Sequence, residues 1–140
     1  METEFKDYYD YLKEYLDSHN GDYEEIVNYG PEIFKLISNI LNEKIIPSEH
    51  RLKLSAALGY FVAPFDIIPE LIYGPEGYID DIFLCVYVIK MLAEEIGYES
   101  IENLWDEDEK LRVVIERCYS HSKLLLGEKC DLILAYTGIR

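Results

Sequence analysis

With 140 residues, 49% of them hydrophobic, the chain suits one folded domain, 1–140, and is too apolar for global disorder. Its net charge of −15, from 28 acids against 13 bases, argues against nucleic acid, because a phosphate backbone is held by Lys and Arg. The same balance, with a pI of about 4.4, disfavours an anionic membrane leaflet.

The first helix is predicted over 4–17, where Phe5, Tyr8, Tyr9, Leu12, Tyr15 and Leu16 fall at helical spacing opposite Asp7, Asp10, Glu14 and Asp17. The acidic start lacks the apolar run of a signal or transit peptide. Asp22 and Glu25 form a capping-box pattern for a short second helix ending at Gly30. Pro31 suits the first turn of a third, with Ile33, Phe34, Ile37, Ile40 and Leu41 on one stripe.

Ser48 is the expected N-cap of a helix that runs through Leu52, Leu54, Ala56, Leu58 and Phe61 to Pro64. Its small residues Ser55, Ala56, Ala57 and Gly59 would let another helix approach closely. Asp66 and Pro69 suit a short turn over 67–71, and a Gly-Pro-Glu-Gly loop follows. The longest apolar run, Ile82 to Ile89, sits in a predicted helix over about 80–96. A bilayer span needs about 20 apolar residues, so this run predicts a buried central helix and no transmembrane segment. Gly97 closes it. Ser100 to Trp105 reads as a short connecting helix, and Asp106 with Glu109 as a capping box for a helix carrying Leu111, Val114, Ile115, Cys118 and Leu125. A last short helix spans 128–136. No strand pattern occurs, so the expected fold is all-α, six or seven helices around the 80–96 helix.

Cys85, Cys118 and Cys130 form no CxxC pair, the usage of thiols in a reducing cytoplasm. Cys118, His121 and Cys130 lack a fourth zinc ligand, and Ser120-His121-Ser122 lacks the elbow and oxyanion loop that serine catalysis needs. The richest constellation is Asp66, Glu70, Glu76, Asp80 and Asp81. If the helices before Pro64 and after Ile79 pack antiparallel, Asp66 approaches the Asp80–Asp81 pair. Carboxylates so placed repel unless a helix N-terminus, an arginine such as Arg51, a raised pKa or a hard cation such as Mg²⁺ or Ca²⁺ compensates. Two readings stand. In one, Asp66 and Asp80 are N-caps and the helix dipole favours Asp81 and Glu70. In the other, Asp66, Asp80 and Asp81 hold a divalent metal, and Glu70 would serve as base in a metal-dependent enzyme.

Tyr60-Phe-Val-Ala-Pro64-Phe-Asp66-Ile-Ile-Pro69-Glu70, followed by Gly77-Tyr-Ile-Asp80-Asp81, resembles the signature of the YkvA-like domain of unknown function. The likeness covers residues 54–89, with Glu70 where aspartate is usual and Ile67 where leucine is usual. It implies a small helical domain and no established activity. With it, Pro64, Asp66, Pro69, Glu70, Gly77, Asp80 and Asp81 become the motif residues. The expected protein is thus a cytoplasmic binding or scaffolding module. Thirteen tyrosines, five of them between Tyr8 and Tyr23, suit a partner or self-association face on the first helix, and the acidic surroundings suit a basic protein partner.

Overall fold

Proline and glycine punctuation sets the helices. The computed structural model describes residues 9–14, 25–43, 46–62 and 78–139. After a helical stretch at 9–14 and a 3₁₀ turn at Glu25–Tyr29 come α1 (Gly30–Leu41), α2 (Ser48–Val62), α3 (Ile79–Ile96), α4 (Glu99–Glu102), α5 (Leu111–Leu126) and α6 (Lys129–Thr137). No strand occurs among the described residues, and the fold is all-α as expected. No helix among them is long and apolar enough to cross a membrane.

The predicted central helix is central. Along α3, Ile82, Phe83, Leu84, Cys85, Val86, Val88, Ile89 and Leu92 are all buried, because α1, α2, α5 and α6 pack around it and leave its N-terminal half no wet face. Gly97 ends it at φ 85°, a backbone shape that a Cβ would strain, and its N–H bonds the Ala93 carbonyl at 2.8 Å. Helix α1 begins directly after the 3₁₀ turn, with Pro31 in its first turn as expected. Gly30 and Pro31 open it, and Ile33, Phe34, Leu36, Ile37 and Ile40 reach the core.

The first helix is docked by Leu12, which is fully buried, by Tyr9, whose hydroxyl donates to Glu32 at 2.8 Å, and by a Lys13–Glu32 contact at 3.7 Å. Tyr8, Tyr15 and Tyr23 lie outside the described residues.

Several local expectations are corrected. Asp80 is not the N-cap of α3: Tyr78 occupies that position, and Asp80 and Asp81 sit inside the first turn. Asp106 and Glu109 do not box α5, which starts after Lys110; the Leu111 N–H is capped instead by Glu102 from α4 at 3.1 Å. A long-range carboxylate outcompetes the local one because α4 and the start of α5 are brought together. Glu109 turns outward to accept from Tyr29 at 2.5 Å and from Arg117 at 2.9 Å. Among the described residues nothing lies within 4 Å of a Cβ placed on Gly59, so none of them is the expected close helix neighbour, while Leu52 and Leu125, both placed on core stripes, are exposed.

Candidate functional site

The first turn of a helix offers backbone N–H groups without intrahelical acceptors and the positive end of the helix dipole. Asp80 and Asp81 occupy that turn in α3, with exposures of 0% and 1%. Asp80 is held at both oxygens. Its Oδ1 accepts from the Asp81 N–H at 3.0 Å, and its Oδ2 accepts from the Tyr60 hydroxyl at 2.9 Å.

Tyr60, itself buried, lies near the end of α2, so this bond ties the end of one helix to the start of the next. The end of α2 and the start of α3 thus meet, while the approach of Asp66 to the Asp80–Asp81 pair lies outside the described residues. Tyr60 was legible in the sequence only as a motif aromatic; the signal for its role is a tyrosine on a buried face, whose hydroxyl must find a partner. Further along α3, burial pushes the Cys85 thiol far up, and the Asp80 charge adds to it, so Cys85 stays protonated.

Pro64, Asp66, Pro69, Glu70, Glu76 and Gly77 lie outside the described residues. Arg51 does not serve the acidic pair. Its guanidinium donates to the Leu41 and Glu43 carbonyls, both at 2.6 Å, and so closes the C-terminal end of α1. Cys118 and Cys130 are buried; burial pushes the Cys118 thiol up to about 12 and raises Cys130 as well. Among the described residues no group of three or more His, Cys, Asp and Glu side chains is placed to hold a metal.

Sequence reasoning missed a cleft of about 390 Å³ at the other end of α3, lined among others by Lys90, Glu94, Gly97, Tyr98 and Arg112. Thirteen residue steps of helix at about 1.5 Å each separate Asp80 from Ala93 in its wall, so it lies about 20 Å from the acidic turn. Lys90 pairs with Glu116 at 2.6 Å, and Arg112 lies 5.7 Å from the Tyr98 ring. The Tyr98 hydroxyl is buried with no hydrogen-bond partner among the described residues. Burial is the main cause raising its pKa, with Glu116 and Glu94 adding to it.

Residues 50–87 match the family model described as a protein of unknown function, DUF1232. An uncharacterized protein, ORF9 of Methanothermobacter thermautotrophicus, is 38% identical over 128 residues, which cover 91% of this chain and 88% of that protein. The chain belongs to this family of proteins of unknown function. No solved structure matches it. The DUF1232 match runs from His50 in α2 to Tyr87 in α3, and so contains Tyr60, Asp80 and Asp81 and excludes the Tyr98 cleft.

Proposed function

We propose that the chain is a cytoplasmic, non-catalytic binding module folded as one domain, 1–140, whose YkvA-like core at 54–89 braces the fold. One observation carries this reading: both oxygens of Asp80 are taken by Tyr60 and the Asp81 N–H, at zero exposure. An acceptor so enclosed orients two helices, and a macromolecule cannot touch it. The charge that meets a partner then comes from exposed acids, above all Asp106, Glu107, Asp108 and Glu109 between α4 and α5, and the partner they fit is a basic protein. Anisotropy of a labelled ten-lysine peptide tests this. Asp106→Asn with Asp108→Asn should weaken binding and flatten its salt dependence, whereas Asp81→Asn should leave both unchanged. Equal binding by all three proteins would remove the loop from the reading.

A second reading rests on the same turn. Two adjacent carboxylates buried side by side are offset well by a hard divalent cation, with Asp66, Asp80 and Asp81 as oxygen ligands and Mg²⁺ or Ca²⁺ as the ion. Thermal melts of metal-stripped protein with and without millimolar Mg²⁺ or Ca²⁺ separate the readings. A cation at about 100 times its dissociation constant adds about 2.7 kcal/mol, a shift of several degrees, and that shift should vanish in Asp80→Asn, Asp81→Asn protein.

A further inference from the structure

Four leucines stand out of the fold: Leu52 is 74% exposed, Leu124 81%, Leu125 42% and Leu132 55%. All four lie on α2, on the last turn of α5 or on α6, and α6 packs against both of the other helices. Helices α2 and α6 share an unusual pattern. Each buries one face in the core, α2 with Leu54 and Leu58 and α6 with Ile133 and Leu134, yet each also turns a leucine outward. In α1, by contrast, no leucine or isoleucine is exposed.

Charge singles out the same elements. With Arg51 turned to the carbonyls that end α1, Glu49 and Lys53 on α2, Lys123 at the end of α5, and Glu128, Lys129 and Asp131 beside or on α6 are three acids against three bases. The chain as a whole carries −15, so all of its negative excess lies elsewhere. We propose that α2, α6 and the α5–α6 corner form a self-association face whose occupant is a second copy of this chain.

Two copies at −15 repel wherever their acidic surfaces approach. Contact through the balanced face brings the leucines together at the least Coulomb cost. A two-fold interface must be self-complementary, and a face carrying both Lys129 and Asp131 has both signs to offer its own copy. A basic partner would be drawn away from this face to the acidic loop at 106–109. The area is attainable: a standard interface takes about 800 Å² from each partner, about a tenth of the 7817 Å² this chain exposes.

Sedimentation equilibrium of the full chain at about 5–300 μM, a range that reads Kd values of about 10–100 μM, tests this. The weight-average mass should rise from 16.4 kDa toward twice that value. Raising NaCl from about 0.05 to about 0.5 M should tighten the dimer, because salt screens repulsion and leaves apolar contact intact. Leu124→Ser with Leu132→Ser should weaken it by about tenfold or more, about 1.4 kcal/mol, with the melting temperature of the dilute monomer unchanged. Tyr11→Ser, on the exposed side of the first helix, should change it by less than about twofold. A mass that stays at 16.4 kDa throughout overturns the proposal. So does a dimer that ignores the leucine pair, weakens with salt, or depends on Tyr11.

Discussion

The two ends of α3 solve the same problem in opposite ways. At its start, two carboxylates are buried where helix N–H groups and the Tyr60 hydroxyl favour a negative charge. At its end, where the dipole reverses, Lys90 and Arg112 join the acids around an open cleft, and the buried hydroxyl of Tyr98 has no hydrogen-bond partner among the described residues. At the first end both Asp80 oxygens are engaged. The other lines an open cleft with charged side chains, while the Tyr98 hydroxyl itself is buried. A buried polar group therefore marks structure or opportunity according to whether its neighbours satisfy it.

Changes to the helix between the two ends should have the largest effect. Leu84→Ala removes a fully buried side chain from the middle of the core and should cost about 2–5 kcal/mol in urea unfolding. At the first end, Tyr60→Phe should cost about 1–3 kcal/mol, because Asp80 loses a donor in a place that water does not enter. Asp80→Asn should be milder than Asp80→Ala, since the amide oxygen still accepts from the Asp81 N–H and its nitrogen can donate to Tyr60. Equal losses for Asn and Ala would show that the charge itself is what the turn requires. At the open end the sign should reverse: Tyr98→Phe removes a buried hydroxyl that lacks a bond, so stability should hold or rise by up to about 1 kcal/mol. A clear loss there would show that the hydroxyl is solvated and would erase the contrast.

The smallest effect is a pH dependence away from both ends. The Glu109 hydrogen bond, with burial second, raises Tyr29 from 10.0 to about 12, and the same bond, with Arg117, lowers Glu109. A tyrosine with a raised folded pKa contributes stability that is full below 10.0 and lost as pH rises toward about 12. A carboxylate with a lowered pKa contributes stability present above its ordinary range and lost as pH falls through its folded value. Tyr29→Phe should flatten both limbs of a pH–melting curve. An unchanged curve would show that this exposed cluster is screened by solvent.

Much of the fold was legible in the chain. Pro31, Gly97 and Gly127 bound helices where backbone sterics require, and an apolar run too short for a membrane had to become a core helix. Caps were less legible. A capping box is a local pattern, and at Leu111 a glutamate from another helix displaced it. Arg51 could be paired on paper with the nearest acids, but packing set its guanidinium against the carbonyls that end α1.

For the acidic turn, the sequence alone determined that two aspartates would sit at the head of the most apolar helix, because helical period and punctuation are local properties. Tertiary structure decided that Tyr60 reaches Asp80, that the pair is sealed from solvent, and that Leu52 and Leu132 face outward. Those outcomes depend on which helices meet and at what rotation. A hydrophobic pattern can say that a side chain prefers to be covered, but only the packing of neighbouring helices settles which one is.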